Sequence, residues 1–122
     1  IDPVTKKVFL ALSLDHLDSI ATSGGYERYA VYKGKKYHHI INPVTGYPAD
    51  SFISVSVLTK DAVLSDAYAT AFFVMELKSV KQFLKKHVAV KVILIDRNKK
   101  IYVSKGLKKQ LIFFNKVPVV WL

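Results

Sequence analysis

Two short segments hold side chains that could do chemistry. His38–Pro48 places two imidazoles at the end of an apolar run, just before a loop with Pro and Gly. Ser65–Thr70 sets a carboxylate, Asp66, and a hydroxyl, Thr70, four residues apart in an Ala-rich stretch. Residues i and i+4 of a helix project from one face, so these two groups would lie side by side. A base beside a strained loop, with two oxygen ligands on one helix face, indicates a metal-assisted reaction.

Each of these groups also has an ordinary structural explanation. Oxygen ligands such as Asp66 and Thr70 suit Mg²⁺, which takes one or two protein carboxylates and completes its shell with phosphate oxygens and water. Equally, Asp66 could cap a turn while Thr70 bonds back to a carbonyl of its own helix. Ser23-Gly24-Gly25 could cradle a phosphate with free amides, although a pair of glycines is common in ordinary turns.

For the two histidines, too, both a structural role and a catalytic role remain open. A His that ends an apolar strand is more often a packed residue, hydrogen-bonded to a neighbour, than a catalyst. Because His38 and His39 are adjacent in an expected strand, one should face the solvent and the other the interior.

Hydrophobic patterning predicts the strands that position these groups. Hairpins are expected around Lys33–Lys35 and Asp96–Lys99, and a turn at Ser23–Gly25. A last extended run is expected to close the sheet at 111–122. The other predicted strands are Val8–Leu14, Leu17–Thr22, Tyr26–Tyr32, Lys36–Ile41, Phe52–Leu58, Val88–Ile95 and Lys100–Val103.

Two helices are predicted between the strands. Thr59 or Asp61 can cap the first helix, and the second, Ser79–Lys86, should turn Val80, Phe83 and Leu84 inward. This order of elements predicts one domain over residues 1–122, of the α+β class, in which helices pack on an antiparallel sheet. The apolar and small residues that recur at helical spacing in the first helix are Ala62, Val63, Ala67, Thr70, Ala71, Val74 and Met75.

Composition narrows the class of protein. The chain has 122 residues, a net charge of +10 and no cysteine, which excludes disulfides and thiolate metal sites. Half of its residues are apolar, as in a globular domain, but no apolar stretch is long enough to cross a bilayer. The lysines are scattered in pairs, which is typical of a solvated surface, and no nucleic-acid recognition motif accompanies them. We therefore expect no nucleic-acid partner.

Three segments, in this order, resemble one known family. They are Ala21–Tyr29, which contains Ser23-Gly24-Gly25, then Gly34–Ala49, in which five residues separate His39 from Thr45-Gly46, and Ser65–Met75. Together they resemble the ApbE family of FAD:protein FMN transferases. The resemblance runs from near Ile1 to the last predicted hairpin.

The resemblance implies a reaction. Members of the family cleave the pyrophosphate of FAD with Mg²⁺, attach FMN to a threonine or serine of an acceptor protein, and release AMP. By position, Asp66 and Thr70 would be the metal ligands. His39 would be the base that deprotonates the acceptor hydroxyl. The residues implied to bind the flavin nucleotide are Ser23, His39, Ile41 and Thr45.

The chain also departs from the family pattern. Gly25 stands where Asp or Asn is usual, so a polar contact is expected to be missing. Family members are more than twice as long, so the chain resembles the C-terminal half of a flavin transferase and is not expected to be fully active alone. A flavin-nucleotide or acceptor-binding module without turnover is the alternative interpretation.

The remaining expectations come from the family alone. Its bacterial members are commonly exported and often lipid-anchored, so a location in the periplasm or at the outer face of the cell membrane is expected, with any anchor outside this chain. A sheet edge left open by the absent half could pair with a second copy, which makes a homodimer a further expectation.

Overall fold

The structure is a computed structural model that describes residues 8, 10–14, 18–26, 28–114 and 117–122. Predictions that fall on Ile1–Pro3, Phe9, Leu17 and Glu27 lie outside these residues. The helices are α1 (Ala62–Val74) and α2 (Leu77–Lys86), and a 3₁₀ turn spans Lys105–Leu107. The strands are β1 (Leu10–Leu12), β2 (Ser19–Gly24), β3 (Tyr29–Tyr32), β4 (Lys35–His38), β5 (Phe52–Thr59), β6 (Lys91–Asp96), β7 (Ile101–Val103), β8 (Leu111–Phe113) and β9 (Val119–Trp121).

A five-stranded sheet in the order β2-β5-β6-β7-β9 forms the centre of the molecule. The pairs β2–β5, β5–β6 and β6–β7 are antiparallel, and β7–β9 is parallel. Helix α1 packs against β2 and β5. The predicted α+β class is therefore confirmed, with a mixed sheet in place of a purely antiparallel one.

Apolar side chains are buried in two clusters. The larger one joins the sheet to both helices and includes Val55, Phe72, Phe73, Val80 and Leu94. The smaller one gathers other sheet residues with Leu107 and is covered by partly buried residues of β1, β8 and β9. Burial of apolar surface in the larger cluster fixes α1 on the sheet, and α1 carries two of the predicted site residues.

The inward face of α1 differs from the prediction. Ala62, Val63 and Ala67 are exposed, Val63 to 76%. The buried side chains of the helix are Ser65, Ala69, Phe72 and Phe73. Ser65 can be buried because its hydroxyl lies 2.9 Å from the hydroxyl of Thr59 and donates to the carbonyl of Ser19 at 3.2 Å. The recurrence of Ala62, Val63, Ala67 and Thr70 at helical spacing therefore does not mark the inward face, since paired polar groups can occupy a core position.

Both hairpin predictions are confirmed. In the β3–β4 turn Lys33 and Gly34 have positive φ angles of 49° and 74°, the pattern of a two-residue hairpin turn. In the β6–β7 turn the carboxylate of Asp96 accepts from the backbone N–H groups of Asn98 and Lys100. Asp61 caps α1 by accepting from the N–H groups of Val63 and Leu64, which decides between the two predicted caps.

Two other predictions are only partly right. The expected last run at 111–122 is two strands: β8 pairs with β1, whereas β9 closes the sheet beside β7. Gly24 ends β2 rather than opening a turn, which begins at Gly25. In the part of the chain that the structure describes, no helix is long and apolar enough to cross a membrane.

Candidate functional site

A cleft of about 740 Å³ opens between the end of β2, the outer face of α1 and the segment that follows β4. It is called the site cleft below. Five of the six predicted site residues line it, and Arg28 joins them. The predicted residues in its wall are Ser23, His39, Ile41, Asp66 and Thr70.

Helix α1 supplies the oxygen groups of the site cleft. Asp66 and Thr70 are one turn apart and both are exposed, at the flank of the face that carries the buried residues. The hydroxyl of Thr70 lies 3.1 Å from the hydroxyl of Ser23 on β2. A carboxylate and two hydroxyls, drawn from two elements far apart in sequence, therefore line one cleft.

The two histidines have opposite surroundings. The Nε2 of His38 bonds to the carbonyl of Ala49 at 2.8 Å, and its Nδ1 accepts from the N–H of Ile40 at 3.3 Å. Its ring also meets that of Phe73 edge-on, with centroids 5.5 Å apart. His38 therefore ties the strand to the loop and to α1, as a packed structural residue does.

His39 is exposed and lines the site cleft. Its Nδ1 lies 3.2 Å from the carbonyl oxygen of Arg28. Since a carbonyl can only accept, Nδ1 carries the hydrogen, and in the neutral ring Nε2 then has the free lone pair. The prediction that one histidine faces inward and one outward is confirmed, and the outward one is the candidate base.

The loop after His39 is held by its own backbone and side chains. Asn42 accepts from the N–H of Val44 through its side chain at 2.9 Å, and its carbonyl accepts from Gly46 at 2.8 Å. Gly46 has a positive φ of 71°, which favours glycine. The hydroxyl of Thr45 accepts from the N–H of Tyr47 at 3.3 Å. Thr45 does not line the site cleft, and its contact with the nucleotide stays a prediction.

Arg28 is the residue that sequence reasoning missed. It lies within the first motif, but nothing in its spacing connected it to the histidine. In the structure it lines the site cleft and its carbonyl bonds to His39. The only signal available was its position in a segment shared with the family.

The charges in the site cleft are mixed. Among the described residues that line it, Asp66 is the one carboxylate and Arg28 the one permanent cation. No group of three or more His, Asp or Glu that could hold a metal by itself is found in the described part of the chain. One carboxylate with nearby hydroxyls still fits Mg²⁺, provided that a phosphate-bearing ligand supplies further oxygens.

The sequence model of the ApbE family matches residues 2–94. The chain belongs to the ApbE family. The site cleft is built from residues of the matched region, so the family assignment and the site concern the same part of the chain.

Individual ApbE relatives agree with this assignment. The chain is similar to the FAD:protein FMN transferase of Treponema pallidum, with 39% identity over 73% of this chain and 25% of that protein. It is 45% identical to the FAD:protein FMN transferase of Rhodobacter capsulatus over 60% of this chain and 14% of the relative. The ApbE protein of Thermotoga maritima matches in structure with a TM-score of 0.65 and 36% identity, over 80% of this chain and 31% of that one.

The matched part of each relative is small. The chain spans roughly a quarter to a third of the length of the Treponema protein and of the Thermotoga structure. The transferase activity of these longer relatives is therefore a proposal for this chain.

Proposed function

We propose that this chain carries part of the site of a Mg²⁺-dependent FAD:protein FMN transferase. In this reaction the FMN half of FAD moves to a threonine or serine hydroxyl of an acceptor protein, and AMP leaves. The observation that carries the proposal is the contact between Ser23 and Thr70, 3.1 Å apart, in the cleft that Asp66 and His39 also line. Membership in a family whose relatives are named for this transfer supports it.

Asp66 and Thr70 would hold the metal. Their side chains offer one anionic and one neutral oxygen on the exposed face of α1, and Mg²⁺ typically takes few protein ligands together with phosphate oxygens. Bound there, Mg²⁺ would neutralise charge on the pyrophosphate as it is cleaved. Ser23 would orient Thr70 or donate to a phosphate oxygen, because its hydroxyl has one hydrogen to give.

His39 would be the base. With Nδ1–H held by the carbonyl of Arg28, Nε2 is free to take the proton of the acceptor hydroxyl. That oxygen then forms a bond to the phosphorus of the FMN half, while the bond between this phosphorus and the bridging oxygen breaks and AMP leaves. Imidazole is the side chain that most often carries out such a proton transfer.

Ile41 and Arg28 would contact the nucleotide. Ile41 is exposed and apolar at the cleft wall, where it can lie against a ring system. The guanidinium of Arg28 carries a permanent charge suited to phosphate oxygens. Thr45, outside the cleft wall, would act from the adjoining loop.

The setting of the reaction is proposed from the family alone. The acceptor is a second protein with a reactive hydroxyl, and the location is the periplasm or the outer face of the cell membrane, where a lipid anchor outside this chain would hold the protein. Pairing of two copies through a sheet edge is a further proposal, for which β2 offers an edge in the described sheet.

Calorimetry of FAD binding, with and without Mg²⁺, tests the proposal. We expect binding that requires both Mg²⁺ and Asp66, and that is lost in Asp66→Ala. Asp50→Ala is the matched control, because Asp50 is also exposed and pairs with Arg97 away from the cleft wall. No FAD binding, or binding indifferent to Mg²⁺ and Asp66, would contradict the proposed site. Release of AMP in the presence of an acceptor peptide then separates transfer from binding without turnover.

A further inference from the structure

A second cleft, of about 450 Å³, lies at the opposite edge of the sheet from the site cleft. It is bounded by α2, the start of β6, the 3₁₀ turn and the end of β9. The site cleft borders β2, whereas this cleft borders β9, and these are the opposite edge strands of the sheet. The two clefts share no lining residue.

Four lysines line this second cleft, which is called the lysine cleft below. Lys81 and Lys85 are one turn apart on α2, Lys91 begins β6, and Lys105 begins the 3₁₀ turn. Among the described residues that line it there is no aspartate or glutamate. Neither of the two ion pairs found in the described part of the chain uses any of these lysines. The side chains in the wall of the cleft therefore concentrate positive charge, with no carboxylate side chain among them.

The stem of Lys91 lies along the cleft, and two lysine ammonium groups lie near aromatic rings. The Cε of Lys91 comes within 3.3 Å of the position that a side-chain carbon would take at Gly106. The absence of a side chain at Gly106 thus leaves room for the stem of Lys91. The Nζ of Lys81 lies 5.8 Å from the centre of the Tyr102 ring, and the Nζ of Lys108 lies 5.8 Å from that of Trp121.

The same cleft has an apolar component. Leu84, Val90 and Trp121 are partly buried in its wall. Val88, in the loop between α2 and β6, also lines it and is 83% exposed. Val88 follows Lys85 and Lys86 closely in sequence, so an exposed apolar side chain lies among cations.

We propose that this face docks on a membrane surface rich in acidic phospholipid. Lysines beside an exposed apolar side chain match such a surface, where phosphates lie just outside the acyl chains. A free phosphate would satisfy the lysines but leave Val88 without a partner. The face lies at the opposite sheet edge from the site cleft, so docking leaves the site cleft open to FAD and an acceptor protein.

Flotation of the whole chain with lipid vesicles tests this docking. We expect binding to phosphatidylcholine vesicles that contain phosphatidylglycerol, little binding to phosphatidylcholine alone, and release at about 1 M salt, where charges are screened within a few ångströms. Each lysine near an acidic surface strengthens binding about fivefold, so Lys81→Gln with Lys85→Gln should weaken binding by about 30-fold.

The control removes the same charge elsewhere. Lys35→Gln with Lys36→Gln lowers the net charge equally on an exposed hairpin strand that does not line the lysine cleft. We expect this variant to bind nearly as well as the unchanged chain. Equal loss in the two variants would mean that net charge alone attracts the protein, and would overturn the proposal.

A second pair of variants tests the contribution of the apolar side chain in the lysine cleft. Val88→Ser should weaken vesicle binding, whereas Val44→Ser, in a loop where Val44 is 90% exposed, should not. No binding to the acidic vesicles, or displacement by soluble glycerol phosphate at low millimolar concentration, would overturn docking on a membrane. None of these measurements uses FAD or Mg²⁺, so failure here leaves the proposed transferase function untouched.

Discussion

The hydroxyl of Ser23 lies 3.1 Å from the hydroxyl of Thr70, although 47 residues separate them in the chain. Ser23 belongs to an edge strand and Thr70 to the helix that packs on it. The contact joins the strand that ends at the glycine turn to the helix face that carries Asp66. This contact therefore brings the first and third family motifs together in the site cleft.

Thr70→Val should weaken Mg²⁺-dependent FAD binding. Valine keeps the shape of threonine but removes the hydroxyl, and loss of a polar contact to a charged group costs about 1.5–3 kcal/mol. Thr70→Ser keeps the hydroxyl and should retain most of the affinity. Calorimetric titration of both variants measures the difference, and equal affinities would show that the hydroxyl makes no contact in the complex.

His39→Gln should slow AMP release by about 10²–10⁴-fold, the usual contribution of a general base, while FAD affinity changes little. The assay measures AMP formation from FAD in the presence of Mg²⁺ and an acceptor peptide. If FAD affinity fell as much as the rate, His39 would be a binding residue rather than the base.

The two histidines should hold opposite tautomers. The bonds to Ala49 and Ile40 place the hydrogen of His38 on Nε2, whereas the carbonyl of Arg28 places that of neutral His39 on Nδ1. Nitrogen-15 chemical shifts of the imidazole rings distinguish the two forms. The same tautomer in both rings would contradict the assignment of Nε2 as the free base atom of His39.

Gly25→Ala should destabilise the fold by about 1–3 kcal/mol, as overpacking does. A side-chain carbon at Gly25 would come within 2.6 Å of the Cδ2 of His38. The His38 ring therefore occupies the space that any side chain at this position would need. Thermal unfolding of Gly25→Ala, His38→Ala and the double variant tests this, because the second change should relieve part of the clash. Strictly additive losses of stability in the double variant would contradict a clash between the added side chain and His38.

Ser65→Ala should cost about 1–3 kcal/mol in the free energy of unfolding, since the partly buried hydroxyl of Thr59 and carbonyl of Ser19 would each lose a hydrogen-bond partner. Ala67→Ser, on the exposed side of the same helix, is the control and should be nearly neutral. Urea denaturation measures both, and a neutral Ser65→Ala would show that the hydroxyl does not set the rotation of α1.

Tyr102 should make stability fall at high pH. Burial, followed by the hydrogen bond to Asp96 and its negative charge, raises the pKa of Tyr102 above 10.0. The folded state therefore holds the phenol proton where the unfolded state loses it, so this contribution is intact below pH 10 and declines as the pH rises through the folded-state pKa. Tyr102→Phe should remove that part of the decline measured by denaturant titration. If the unfolding free energy of Tyr102→Phe fell with pH as steeply as that of the unchanged chain, Tyr102 would not be the cause of the decline.

The sequence by itself determined the elements and the chemical groups. Turn residues predicted both hairpins, and two possible caps, Thr59 and Asp61, predicted where α1 starts to within two residues. Three motifs predicted the family and its candidate site residues. These signals are local, because propensity, capping and turn chemistry act over a few residues.

Only the tertiary structure decided how those groups meet. The rotation of α1 depends on the bonds of Ser65 to two strands, which a hydrophobic pattern does not contain, and this rotation turns Asp66 and Thr70 outward into the site cleft. The carbonyl of Arg28 sets the tautomer of His39, and lysines scattered along the sequence converge in the lysine cleft. Each of these relationships joins residues distant in the chain, so packing, rather than local preference, determines it.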